Sequence, residues 1–297
     1  MREQRWRMIW NKGKPYLRVI LFLAVICLIE WQRAGVKGYD EGIASDQFRL
    51  IEQSQVKRNA YNLVMGDSVT SQMFGNNHID GGTYYMTGNC SATMGGFYLL
   101  MRNYIEHNPQ TREIRLVVSP DVIANAADTD YTYQYYIVPY YTKENMRHIT
   151  ANVQNYIDRK FGYLFTRCEP IKKVLYNDLY LLGKYRDYIE ATRTKERKSM
   201  RISWFSAEYL KQMQALCDAN EIEFTVLSCP LSNTRARHDW GGFQKDREQY
   251  GLKKILQGYM ENADYYSEDE FQDEYHFETE VLRAKKQQII KKLWSDY

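Results

Sequence analysis

The chain has 297 residues, of which 44% are hydrophobic and 26% charged, and its formal net charge is +3. That balance suits a globular protein with enough chain for a substantial core. Positive charge gathers at the start, in Arg2, Arg5, Arg7, Lys12 and Lys14, so the remainder is close to neutral, which excludes the concentrated basic face of a nucleic-acid binder.

The basic cluster precedes the apolar run from Val19 to Ile29. Extended from Tyr16 to Trp31, it gives about 16 residues, against the roughly 17–25 that a membrane span needs. Arg18 and Trp31 suit the two interfaces. The positive flank should stay inside and the rest of the chain outside. Glu30-Trp31-Gln32-Arg33 follows the run, where a cleaved signal peptide calls for small residues; Ala34 and Gly35 leave cleavage open. The expectation is a cytoplasmic tip and membrane anchor over 1–31, with lipid as its partner. The protein is then a single-pass protein of the cell membrane with an extracytoplasmic C-terminal domain. Cys27 falls in the anchor. Cys90, Cys168, Cys217 and Cys229 fall outside it, where disulfides form; three full pairings and free buried thiols all stay open.

Residues 32–59 are polar, with Gly35, Gly38 and Gly42, and read as a stalk and first helix whose Phe48, Leu50, Ile51 and Val56 make a partly apolar face. Ala60 to Met65 is a short apolar run closed by Gly66, the mark of a buried strand. Ser68 follows in the turn that opens the next helix. Tyr84 to Thr87 reads as a second strand ending at Gly88-Asn89. A helix from Met94 to Ile105 carries Phe97, Leu99, Leu100, Met101 and Tyr104, and Asn108-Pro109 ends it. Ile114 to Val118 is the clearest strand and ends at Ser119-Pro120. Residues from about 127 to 200 read as a helical insertion beside the site edge. They hold many of the chain's 26 tyrosines, whose flat faces suit either sugar stacking or a core. A helix over about 203–220 leads to the strand Glu223–Ser228, which ends at Cys229-Pro230. Ala263 to Tyr266 reads as a last short strand, and a helix over about 278–294 closes the chain.

Strands alternating with helices predict an α/β fold. The expectation is a three-layer sandwich with a mostly parallel, flavodoxin-like sheet, occupying 60–297 beyond the N-terminal membrane helix. In such sheets the site lies at the carboxyl ends of the strands, where the loops after Met65, Thr87, Val118 and Ser228 meet. An activated serine needs a base, and the base an orienting acid. His276 has Asp273 three residues before it, in a short loop, so carboxylate and imidazole can point the same way. Asp273 would fix the tautomer that lets the other ring nitrogen take the Ser68 proton.

The order strand, Gly66-Asp67-Ser68, helix, and then Asp273-x-x-His276 one helix from the end, resembles the SGNH/GDSL hydrolase superfamily over roughly Ala60 to Lys292. It is most similar to the membrane-anchored branch of alginate O-acetyltransferases and teichoic acid D-alanyl transfer proteins, where an N-terminal anchor and a Gly-Asn-x-Ser-like stretch recur; Gly88-Asn89-Cys90-Ser91 matches the latter. The resemblance implies Ser68 as nucleophile, His276 as base and Asp273 as acid. It also implies oxyanion donors at Gly88 and Asn89. The third strand ends Ser119-Pro120-Asp121, without the family's asparagine, and Asn125 is the nearby alternative. The implied activity is acyl transfer, with acetyl as the acyl group, to a cell-surface or secreted glycopolymer. A multi-spanning membrane O-acyltransferase is the implied partner. An SGNH esterase and a non-catalytic glycan-binding or assembly protein are the rival readings.

Other features carry less. His238-Asp239, with Arg235 and Arg237 nearby, suits an anionic substrate or a solvated loop. His78, His107 and His148 lack a partner pattern, and Glu268, Asp269 and Glu270 read as an exposed acidic turn. No phosphate loop, dinucleotide fingerprint or zinc spacing appears, so neither cofactor nor metal is expected.

Overall fold

The computed structural model describes residues 16–28, 45–88, 93–128, 132–169, 171–172, 200–236, 239–273 and 275–295. Five strands form the central sheet: β1 (Asn62–Gly66), β2 (His78–Asp80), β3 (Thr83–Thr87), β4 (Glu113–Val118) and β5 (Glu223–Ser228), in the order β2-β3-β1-β4-β5. All neighbours are parallel except β2 and β3. The fold is therefore α/β with a mostly parallel sheet. The antiparallel edge strand β2 adds to the expected set. It joins β3 through Gly81-Gly82, both with positive φ (+54° and +80°). A two-residue turn of this kind is a standard hairpin connection, and glycine alone adopts it without strain.

Short apolar runs become strands here because both faces are covered. Leu63, Val64 and Met65 in β1, and Leu116, Val117 and Val118 in β4, are all buried. Consecutive buried residues have side chains on alternating faces, so each face has a lid of its own. One helical group joins α1 (Ser45–Ser54), α3 (Met94–His107) and, beyond them, α6 (Trp204–Ala219), with α1–α3 and α3–α6 in contact. Across β1, β3 and β4 lies α2 (Ser68–Phe74), with α8 (Thr279–Ser295) packed on it. Between α3 and α6 stand α4 (Pro120–Ala124) and α5 (Ala151–Phe161), and α7 (Gly241–Gln249) follows β5. A small parallel pair, β6 (Leu231–Ser232) with β7 (Tyr265–Tyr266), extends the site edge. Helix starts match their capping residues: Thr93, Thr150 and Ser203 each accept a backbone N–H with the side chain.

The chain leaves β1 for β3 on one side and then returns to β4 on the other. Strand order thus reverses at β1, and the crevice that such a reversal leaves opens at its carboxyl end, directly before Ser68.

The first described segment of the insertion, residues 133–141, packs into the core. Tyr133, Tyr136, Tyr140 and Tyr141 are buried, and the Tyr136 hydroxyl meets that of Tyr209 at 3.0 Å. Gly95 and Gly96 make room for them: an added Cβ would lie 2.7 Å from Tyr136 and 3.1 Å from Tyr140. For these tyrosines the structure selects the core over sugar stacking. Cys168, Cys217 and Cys229 are free thiols, the last two buried, while Cys90 lies outside the described residues. Residues 16–28 are helical and expose Tyr16, Leu17, Val19, Ile20, Leu21, Phe22, Leu23, Val25 and Leu28. Among the described residues no helix is long and apolar enough to cross a membrane.

Gly66 is the tightest point in the frame. A Cβ there would sit 2.3 Å from both Thr70 Oγ1 and the Val117 carbonyl oxygen. The second of these is backbone and cannot step aside. Gly66→Ala is expected to cost about 3 kcal/mol, the upper end of the overpacking range, measured as a drop in the urea midpoint. A midpoint equal to wild type would show that β1 and β4 can separate at this point.

Candidate active site

Where β1 ends, the chain turns through Asp67 into α2. Asp67 caps that helix: its Oδ1 accepts the N–H groups of Val69 (3.1 Å) and Thr70 (3.3 Å). Its Oδ2 accepts the Ser119 N–H at 3.1 Å, and Thr70 Oγ1 donates to the Val117 carbonyl at 2.7 Å. One buried carboxylate thus fastens the turn that carries Ser68 to the end of β4. In the sequence Asp67 stands only as the middle of the Gly66-Asp67-Ser68 tripeptide. Its signal was available, because aspartate one residue before a helix is a strong N-cap.

Ser68 opens α2 and is partly exposed. Its Oγ lies 2.9 Å from His276 Nε2. On the other side of the ring, Nδ1 lies 2.9 Å from Asp273 Oδ2 and 3.1 Å from Oδ1. Asp273 Oδ1 also accepts the N–H groups of Tyr275 and His276, each at 2.7 Å. These two bonds form a tight Asx-type turn that bends Asp273 back over its own loop. A carboxylate only accepts, so Nδ1 carries the ring proton and Nε2 accepts from the serine hydroxyl. The three residues singled out in the sequence meet in one hydrogen-bonded row. The His276 side chain is 26% exposed and that of Asp273 is 51% exposed, so the row opens to solvent from its acid end.

The expected oxyanion donors fare differently. The Gly88 N–H is donated to the Gly66 carbonyl at 3.2 Å and is not open to a substrate oxygen. Glycine is needed there for another reason: a Cβ would lie 2.6 Å from Leu50 Cδ1 of α1. Asn125 is held by bonds to its oxygens. Its Oδ1 accepts the Ala127 N–H at 2.8 Å, and its carbonyl accepts the hydroxyls of Ser203 and Ser206. It ties α4 to the start of α6, and among the described residues none of its bonds reaches the Ser68 row. Asn89 lies outside the described residues. In the first turn of α2, Asp67 takes the Val69 and Thr70 N–H groups and Ser71 donates to the Asp67 carbonyl. The Ser68 N–H is left without a partner among the described residues, beside its own Oγ.

Arg235 is buried rather than part of a solvated loop. It pairs with Asp121 Oδ2 at 3.2 Å, and its guanidinium carbon lies 4.5 Å from the centre of the Tyr275 ring. Arg237 and His238 lie outside the described residues, and Asp239 is exposed. His78 stacks on Tyr85, His107 bonds the Asn103 carbonyl, and His148 Nε2 meets Arg102 and Arg147. Glu268–Glu270 form an exposed helical turn, with Glu270 paired to Lys285.

No family model matches the chain, and no curated protein matches it in sequence. Among solved structures, a Streptococcus pneumonia protein provisionally described as a platelet activating factor aligns at 10% identity. The alignment covers 92% of this chain and 98% of that one, with a TM-score of 0.32. A likeness that distant is silent on substrate and reaction.

Burial pushes the Asp67 carboxyl up from its ordinary value of 3.8, against the opposing pull of the Ser119, Thr70 and Val69 hydrogen bonds. A carboxyl raised in the folded state holds its proton more tightly there than in the unfolded chain. Its contribution to stability is therefore fullest below 3.8 and is lost as pH climbs through the folded value. Nothing titrates at this position in Asp67→Asn. The stability difference between the two proteins should shift towards the variant as pH rises across that window, read by urea unfolding at a series of pH values. A difference independent of pH would show that Asp67 ionises as freely folded as unfolded.

Proposed function

We propose that this chain is a serine acyl-ester enzyme in which Ser68 is the nucleophile, His276 the general base and acid, and Asp273 the orienting carboxylate. The observation that carries the reading is the unbroken row from Asp273 through both imidazole nitrogens to Ser68 Oγ, every link at 2.9 Å. An ester carbonyl placed over Ser68 is attacked by Oγ while the hydroxyl proton passes to Nε2. The Ser68 N–H faces the oxygen on which negative charge then develops. Collapse expels the alcohol, which takes the proton from Nε2, and leaves an acyl-serine. A second hydroxyl gives its proton to Nε2 and attacks the acyl carbon, and the departing Ser68 Oγ takes that proton back from Nε2.

The acceptor decides between transferase and esterase. A sugar hydroxyl of a cell-surface or secreted glycopolymer is the acceptor that the SGNH-like motif order and the basic-flanked apolar run support. With that run as an anchor, the site stands outside the membrane, near such a polymer. The partial exposure of the His276 and Asp273 side chains favours a second reading, ester hydrolysis, with water as the acceptor.

The test is turnover of an activated acetyl ester by the full chain, with and without an oligosaccharide acceptor. Ser68→Ala and His276→Ala should each lower kcat by about 10⁴-fold or more. Acetyl recovered on the oligosaccharide supports transfer, and equal ester loss with and without it supports hydrolysis. Wild-type protein that never acquires an acetyl group on Ser68 would sink both.

A further inference from the structure

We infer that Gln72 is a positioning residue that holds the catalytic imidazole against the nucleophile. The inference rests on the reading of Ser68 and His276 as nucleophile and base. His276 stands on no strand or helix: it lies in an irregular loop between β7 and α8, with a half-exposed Asp273 as its main polar partner. A base on such a loop swings away unless something outside the loop fixes it, and displacements of about 1 Å at a reacting pair can cost about 100-fold in rate.

Gln72 supplies the fixed point. It lies four residues after Ser68 on α2, so both side chains leave the same face of the helix, one turn apart. Gln72 Nε2 donates to the Phe277 carbonyl at 2.8 Å, and Gln72 Oε1 accepts the Phe277 N–H at 3.0 Å. Phe277 directly follows His276. One amide thus pairs with both backbone groups of that residue, as a neighbouring strand would. The other end of the clamp is firm as well. The Phe277 ring is fully buried, stacked on Phe271 at 4.5 Å and edge-on to Tyr266 at 5.3 Å. The His276 carbonyl accepts the Gln272 N–H at 2.9 Å, which closes the loop on itself. Consecutive residues of one helix face, Ser68 and Gln72, therefore meet consecutive residues of the loop, His276 and Phe277.

The residue type is specific. At neutral pH only a primary amide carries an uncharged donor and an acceptor on one carbon, spaced to pair with the N–H and the carbonyl of a single residue. Glutamate lacks the donor and turns a second oxygen on the Phe277 carbonyl, methionine has the length without either bond, and asparagine is one methylene short. A role in packing alone would be filled by methionine.

The experiment uses the full chain with histidine labelled with ¹⁵N, as wild type, Ser68→Ala, Gln72→Met and Gln72→Asn. The His276 Nε2 resonance of Ser68→Ala gives the position without a serine partner. In Gln72→Met the resonance should move from the wild-type position towards that one. Its kcat on p-nitrophenyl acetate should fall about tenfold to a hundredfold with KM unchanged. Gln72→Asn should behave alike and takes its place if Gln72→Met fails to fold. An Nε2 resonance in the variant identical to wild type overturns the inference, whatever the turnover. If the wild type shows no Ser68-dependent turnover at all, the functional reading falls on its own, and the resonance still decides whether Gln72 holds the imidazole.

Discussion

The buried carboxylate of Asp67 is the constraint on which the rest of this site depends. A carboxylate surrounded by protein is costly unless its lone pairs are filled, and here backbone N–H groups from two different elements fill them. Neither α2 nor the loop after β4 can move without stranding that charge. Position is thereby transmitted from the sheet to Ser68. Gly66 serves the same end. With no side chain it lets the Thr70 hydroxyl reach the Val117 carbonyl, so the turn closes down on β4.

The other two residues of the row are held by a different principle. Asp273 and His276 hang from a loop, are partly solvated, and owe their mutual geometry to a turn that Asp273 makes with its own backbone. Such a turn fixes the pair internally but says nothing about where the pair sits. Location comes from outside, through the buried Phe277 and the Gln72 amide. Ser68 and the Asp273–His276 pair are thus placed separately: one by folding of the sheet, the other by a few contacts late in the chain.

Much of this was legible in the sequence. The strand Glu223–Ser228 has the bounds that its apolar run and closing Cys229-Pro230 indicate, and the α6 helix lies between Ser203 and Asn220 as its spacing requires. Asp273 and His276 were found because a carboxylate three residues before a histidine in a short loop has few ways to point. What the sequence withheld are matters of pairing. Gly88 reads as an oxyanion donor until the sheet uses its N–H for Gly66. Asn125 reads as a site residue, and its side-chain oxygen closes a turn on Ala127 that residue type alone does not announce. Gln72 carries no motif at all, since its partner is the backbone of a residue 205 positions away, and backbone partners leave no trace in residue type. The β2 strand was missed although Gly81-Gly82 marks its hairpin, because three exposed residues offer no apolar alternation.

Arg235 shows how the remaining loops are joined to this frame. It comes from the segment after β5 and β6, Asp121 from the segment after β4, and Tyr275 from the loop of the base. A buried guanidinium requires a counter-charge nearby, and Asp121 provides it; the flat ring of Tyr275 then covers the cation from the side of the loop. The pair with Asp121 is of little use as a source of stability, given what desolvation costs. Its consequence is geometric, because it fixes the β5 loop to the β4 loop at the point where the base loop passes over both. Asp67 binds β1 to β4, Arg235 binds the β5 segment to β4, and Tyr275 rests on Arg235. The loops at the carboxyl ends of the three adjacent parallel strands are therefore one connected body, and β4 is the element to which Asp67, Arg235 and, through Arg235, Tyr275 are all tied.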